Sequence, residues 1–358
     1  MHKVRLLTNS GFTGANAWFP LACDRGYFRD EEIDVEFVDG LGAFSAAGRM
    51  VKEGIEFGYG DFQALIEEAA RKPVTSPVGV YMVMDRSPSV IVLPAGSQIS
   101  SPAGLSGMTI TAHAVDVGLN TFEQYASKAG LDPRSVRTVS NDGDWIALLN
   151  LLKEGKTDAL FGYLSTVSAA IRASGKDVRS EVRFLKFKDV AQDLYGSALM
   201  VSPTFARDKP AVAKAFVRAI NRGVLAAACD PDAAIQALIN HAPDRPPQVD
   251  RLRLLETIEE DMGGWQTLAK GVGDIDRARM ERLLKLSADS RKLPRQPAVD
   301  EVFTTAFLPL IDERRIGPDA TSTAAGDAIE EDASCREGRL ALAGSQSFTH
   351  SDKYGREP

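Results

Sequence analysis

With 358 residues, 44% of them apolar and 25% charged, the chain has ordinary globular composition and exceeds what a single hydrophobic core usually supports. A net charge of −7, with no arginine- or lysine-rich run, argues against a nucleic-acid-binding surface. No stretch of about twenty apolar residues could span a membrane, and three scattered cysteines, Cys23, Cys229 and Cys335, are too few for a disulfide framework or a zinc site.

The first predicted element is a strand, Val4–Thr8, entered from Met1-His2-Lys3 with no apolar leader, as in a cytoplasmic protein or a trimmed mature form. A polar loop, Asn9–Gly14, leads into an amphipathic helix that runs to Arg25 and is capped by Gly26. Ile33–Val38 alternates apolar and acidic residues, the period of a strand with one wetter face. Asp39-Gly40-Leu41-Gly42 turns into a helix that stops before Gly54; Ile55–Tyr59 reads as a strand, Asp61–Arg71 as a helix and Val78–Val83 as another strand.

The series then recurs: strand Met108–Ala112, helix Gly118–Ala129, strand Val136–Ser140, helix Asp144–Glu154, strand Asp158–Tyr163. The punctuation keeps step, because Val4 to Gly26 and Met108 to Gly130 are each 22 residues. Asp39-Gly40 is answered by Asp142-Gly143, Gly54 by Gly155, and Phe57-Gly58-Tyr59 by Phe161-Gly162-Tyr163. A repeated spacing of turn and C-cap glycines predicts a repeated strand–helix–strand–helix–strand unit. Two such α/β units leave a crevice between them, and crevices of that kind bind small molecules.

Ser89–Leu93 and Tyr195–Ser202 read as the two crossings between lobes. On that reading residues 1–92 and 198–316 form lobe I and residues 93–197 an inserted lobe II. Beyond the second crossing the apolar spacing becomes helical over Pro210–Ala228, Asp232–Asn240, Val249–Asp261 and Asp276–Ser287. From Gly317 to Pro358 the chain turns to Thr, Ser, Ala, Gly and acid without periodicity, which predicts a disordered tail.

Ala22-Cys23-Asp24-Arg25-Gly26-Tyr27-Phe28 followed by Ile33-Asp34-Val35-Glu36-Phe37 resembles the signature A-x-x-x-G-Y-F-x-x-x-x-[LI]-x-V-x-[FL]. That signature marks solute-binding proteins of ABC importers for nitrate, sulfonates, taurine and thiamine-pyrimidine precursors. Gly54–Asp61 is similar to the same family's G-x-x-D-[FV]-[GA] segment, with Glu56 where Asp is usual, and Leu148–Ala159 to its A-L-x-x-G-x-[VI]-D-A segment. The resemblance covers about residues 4–310 and implies a two-lobe periplasmic-binding-protein clamshell, α/β, with two hinge crossings and a helical C-terminal part. It further implies an extracytoplasmic protein, expected to be a monomer, that delivers a small solute to permease subunits and needs no cofactor. Enzymes of pyrimidine and menaquinone biosynthesis use the same fold. The cysteine-rich motif of the fungal pyrimidine synthase is missing here, and His113 with Asp116 would be the acid–base pair of an enzyme.

In an open α/β sheet, ligands meet the ends of the strands. From lobe I that rule selects Asn9, Ser10, Phe12, Phe44, Ser45, Tyr59, Asp61 and Tyr81. It selects His113, Asp116, Asn141, Asp142 and Tyr163 from lobe II, and Tyr195 from the return crossing. The set is rich in aromatics, although the chain is only 7% aromatic, and poor in cations, with His113 and Arg86 the only ones at hand. Such a site favours a flat neutral or amine-bearing ring, an aminopyrimidine first, with sulfonate, taurine or flavin solutes as alternatives. Tyr59 and Tyr163 occupy equivalent places in the sequence repeat, whereas Trp18 and Trp145 read as core.

Overall fold

The structure, a computed structural model, describes residues 1–316, and the tail expected to be disordered lies outside the described residues. The first sheet contains β1 (His2–Leu7), β2 (Ile33–Val38), β3 (Phe57–Asp61) and β4 (Val78–Met82). The second contains β5 (Ser89–Pro94), β6 (Thr109–Ala112), β7 (Arg137–Ser140), β8 (Ala159–Tyr163) and β9 (Val182–Lys186), after which β10 (Ser197–Val201) rejoins the first. Their orders are β2-β1-β3-β10-β4 and β7-β6-β8-β5-β9. β1 pairs parallel with β2 and β3, and β6 parallel with β7 and β8. β10 and β5 are the antiparallel members, each lying fourth in its sheet.

The repeat read in the sequence is therefore a repeat of topology. Its punctuation is physical: Gly26, Gly54, Gly130 and Gly155 all have φ between 63° and 71°, the left-handed conformation that ends a helix. Glu56, the residue that departs from the family pattern, takes both Nε and Nη2 of Arg5 on the neighbouring strand at 3.0 and 2.9 Å. The pair ties β1 to the entrance of β3.

The two halves do not superpose along the Phe-Gly-Tyr echo. Leu6 pairs with Phe57, but its counterpart Ile110 pairs with Ala159. Ser197 pairs with Asp61, and Ser89 with Tyr163. The structural partner of Tyr163 is thus Asp61, two residues beyond Tyr59, and the echo is offset by two. An offset of two keeps every side chain on its original face but moves it one pleat along the strand. Gly60 and Gly162 become the true equivalents. A Cβ on Gly60 would lie 2.3 Å from Ala46 Cβ, and one on Gly162 would lie 2.5 Å from Trp145 Cη2. In each lobe this glycine lets the start of the preceding helix settle onto the sheet.

Helices cover both faces of the sheets. One buried cluster joins Phe57, Tyr59 and Leu199 to Trp18, Phe19 and Phe216, with Phe57 and Phe216 stacked at 4.1 Å. A second runs from Leu7 on the first sheet and Phe62 on the helix after β3 to Ile91, Ile110 and Phe161 on the second sheet, and a third backs the far side of the second sheet around Leu148, Leu160 and Val167. The C-terminal part is helical, as its spacing predicts: Pro210–Cys229, Pro231–His241, Pro247–Thr257 and Arg277–Ser290. Three of these helices start on proline, whose fixed φ and missing N–H suit the first turn. The helix Leu164–Ala173 and strand β9 have no counterpart among the predicted elements, although Gly175, at φ 74°, punctuates the chain after the helix. The helix Pro247–Thr257 packs against Leu164–Ala173, so the end of the chain reaches the second lobe.

Filling the close approach at Gly60 should cost stability. Gly60→Ala is expected to lose about 1–3 kcal/mol through overpacking against Ala46 and the Ala43 carbonyl, read as a lower urea midpoint at unchanged m-value.

Candidate functional site

A cavity of about 280 Å³ lies between the lobes, walled by loops that follow the strands. After β1 come Asn9, Ser10, Thr13 and Ala15, and after β2 come Leu41, Gly42 and Ala43. After β6 come His113, Val115, Asp116 and Val117, and after β8 come Tyr163, Ser165 and Thr166. Met84 from the first crossing, Trp145 from a helix start and Arg253 from the helix Pro247–Thr257 complete the wall.

Of the residues expected at the site, Asn9, Ser10, His113, Asp116 and Tyr163 line this cavity. The others are elsewhere. Phe12 packs edge-on against Phe37 and His241. Phe44 and Ser45 sit in the turn behind Ala43, where Ser45 Oγ donates to the Gly42 carbonyl at 2.8 Å. Tyr59 is wholly buried against Trp18 and Phe19, a consequence of the two-residue offset. Asp61 caps the helix Phe62–Arg71, accepting from Gln63 N–H at 2.9 Å, and burial pushes its carboxyl up to about 7. Tyr81 donates to Asn221 Oδ1 and Tyr195 to Gln266 Oε1, both deep in the fold. Asn141 accepts from Gly143 N–H, and Asp142 is exposed.

Two features of the site escaped the sequence. Trp145, expected in the core, lines the cavity and stands edge-on to His113 with ring centres 5.1 Å apart. His113 Nε2 lies 2.6 Å from the Gly143 carbonyl oxygen, which fixes the ring against that tryptophan. The larger correction is electrostatic. The cleft is not poor in cations, because Arg253 enters it from a helix some 140 residues beyond His113 in the sequence.

Arg253 Nη2 donates to Thr166 Oγ1 at 2.7 Å, whereas its Nε is buried and meets no partner among the described residues. Burial draws the guanidinium down to about 10, which still leaves it charged at neutral pH. Its helix is held firmly. Asp250, one turn earlier and fully buried, accepts Gly14 N–H at 2.8 Å and a two-pronged contact from Arg245. Gly14 is required there, since a Cβ would stand 2.0 Å from the Asp250 carbonyl oxygen. Asp250, Arg253 and Thr257 recur at a spacing of three and four along this helix, but nothing in that spacing marks Arg253 as facing a cavity.

Opposite Arg253, the ten-residue helix Leu164–Ala173 starts without a side-chain cap, and its first turn, Ser165 and Thr166, lines the cavity. An uncapped helix start presents backbone N–H groups and the positive end of the helix dipole. Tyr163, the residue before that turn, has a buried hydroxyl with no partner among the described residues, and burial raises its pKa well above the usual range. The Arg253 guanidinium, the Tyr163 hydroxyl and the start of a helix without a side-chain cap, whose Leu164 N–H donates to the Pro88 carbonyl at 3.1 Å, form a donor set, the complement of an anion. Asp116 is the one carboxylate on the wall; it caps its own helix through Leu119 N–H at 3.2 Å, and burial raises it to about 6.

Comparison with known proteins supplies the family. The NMT1/THI5-like family model matches residues 17–234. The chain belongs to this family. Among solved structures it is similar to the alkanesulfonate-binding protein of Xanthomonas axonopodis pv. citri, with 15% identity and a TM-score of 0.65 over 85% of this chain and 98% of that one. The periplasmic aliphatic sulphonate-binding protein of Escherichia coli matches at 15% identity and TM-score 0.65, over 84% of this chain and 91% of that one. The desulfurization enzyme DSZB matches at 16% identity and TM-score 0.54, over 85% and 97%. These likenesses establish the two-lobe periplasmic-binding-protein fold. No curated protein sequence matches the chain.

Because Asp116 is neutral below about 6 and charged above, anion affinity should rise as pH falls through that value. An anion held in this cavity is expected to bind several-fold more tightly at pH 5 than at pH 8 by calorimetry, and Asp116→Asn should flatten much of that dependence.

Proposed function

We propose that this protein is the extracytoplasmic solute-binding component of an ABC importer and that its solute is a small organic acid of the sulfonate class. The observation that carries the reading is Arg253, a charged guanidinium on the cavity wall whose Nε has no partner among the described residues. Desolvated donors left unpaired are costly, and an oxyanion arriving between Arg253 and the first turn of Leu164–Ala173 would satisfy them. The expectation of an aminopyrimidine rested on dense aromatics and on a cleft poor in cations, with only His113 and Arg86 at hand; Arg253 adds a charged donor to the wall and weighs toward an anion. Two proteins of similar fold, one alkanesulfonate-binding and one aliphatic sulphonate-binding, point the same way.

The work of such a site is recognition. Loops of both lobes wall the cavity, so a solute touching both favours the closed arrangement, and permease subunits can read that arrangement. The enzymatic neighbour shows that the fold also supports chemistry on sulfur acids, since one of its structures holds biphenyl-2-sulfinic acid. In the present chain Cys23 lies on the helix Trp18–Asp24, packed against the core, and burial raises its thiol to about 11.

A thermal-shift screen of sulfonates, taurine, flavins and aminopyrimidines is expected to give stabilisation by sulfonates. Arg253→Gln should weaken the best hit roughly 30- to 100-fold, the loss of a charge-assisted contact of about 2–3 kcal/mol. Mass spectrometry of the incubated mixture should return the compound unchanged. Stabilisation by aminopyrimidines alone would overturn the choice of solute, and a chemically altered product would overturn transport.

A further inference from the structure

Two large apolar side chains stand exposed at the mouth of the cavity, one from each lobe. Leu41 is 70% exposed and Val115 is 46% exposed, and both line the cavity. They belong to loops that touch. A Cβ built on Gly42 would lie 3.0 Å from Val115 Cγ2, and Gly42 itself sits at φ 102°. Next to it, Gly40 runs so close to Thr8 that a Cβ would fall 1.9 Å from its carbonyl oxygen. The Gly-Leu-Gly turn is thus pinned against Thr8 and Asn9, just past β1, with Leu41 exposed between its two glycines and the Val115 loop beside Gly42.

One exposed leucine is ordinary on a protein surface. Two exposed apolar side chains on neighbouring loops, both lining a cavity whose wall also holds a guanidinium, give its rim a hydrocarbon character. The cavity is polarised: Arg253 and the uncapped helix start supply donors, while Leu41, Val115, Val117 and Met84 supply hydrocarbon. Water held among those apolar groups gains little and is readily displaced by an apolar group.

We infer that Leu41 and Val115 set the specificity of the site, selecting acids whose other end is an apolar tail long enough to reach the mouth, and disfavouring acids with an amine or hydroxyl there. The inference rests on the anionic solute proposed above. A tail lying between the two tips buries both of them and bridges the lobes at a point remote from Arg253. Tail length then governs affinity and closure together, with roughly fourfold expected per fully buried methylene.

The test is a calorimetric series on the wild-type protein and on Leu41→Ser and Val115→Ser, with ethanesulfonate, hexanesulfonate, benzenesulfonate and taurine as ligands. In the wild type, hexanesulfonate should bind on the order of tenfold or more tighter than ethanesulfonate, and taurine more weakly than either. In each variant the hexane-to-ethane affinity ratio should fall several-fold. That ratio is taken within one protein, so a general loss of folded material cancels. Equal affinity for the two chain lengths, an unchanged ratio in both variants, or preference for taurine would overturn the inference while leaving an anion-binding site intact. Failure of every sulfonate to bind the wild type would overturn the proposed solute class itself.

Discussion

Each sheet of this protein is completed by a strand that has just arrived from the other lobe. β5 enters the second sheet after β4 and β10 enters the first after β9, and both stand antiparallel in the fourth position. Neither sheet closes its strand order without the crossing that feeds it, so the hinge belongs to the cores and is not a linker laid over them. The parallel strands of both sheets consequently end toward a shared crevice, and the loops after β1, β2, β6 and β8 become the facing walls of one cavity. The small residues at the strand ends serve the same geometry. Gly60 and Gly162 let helix starts press onto the sheets, and through Trp145 that contact shapes the cavity wall.

Electrostatically the site runs against the molecule that carries it. A chain of net charge −7 keeps a guanidinium nitrogen without a partner among the described residues inside its cleft, near a helix start and a tyrosine hydroxyl. The surrounding negative charge is screened over about 10 Å at ordinary ionic strength, whereas the local donors act at contact distance. Asp116 is the exception within the wall. Its raised pKa shows what the cavity costs a carboxylate, and its capping of the following helix shows why one is present.

The architecture was legible because helix ends need left-handed residues and glycine supplies them, so Gly26, Gly54, Gly130 and Gly155 marked both copies in advance. The residues following the first strand of each half, Asn9, Ser10, His113 and Asp116, were legible for the same reason: a strand end fixes where its loop must go. Tyr59 misled because identical tripeptides suggested identical places, while the ladder pairs Tyr163's position with Asp61. Two residues along a pleat separate a side chain in the core from one on a cavity wall. Arg253 was illegible from local pattern because tertiary packing of Pro247–Thr257 on Leu164–Ala173 brings it home, and no periodicity within one helix announces its neighbour.

That late arrival has a consequence for how the molecule becomes competent. Every strand of both sheets has emerged once residue 201 is made, yet the helix locked by Asp250 to Gly14 comes some fifty residues afterwards. A growing chain would therefore hold all the strands before owning the helices that complete the core of the first sheet and the positive group that one of them carries. Capture of cargo is reserved for the finished polypeptide, and a half-made one offers a vacant, unbaited trap.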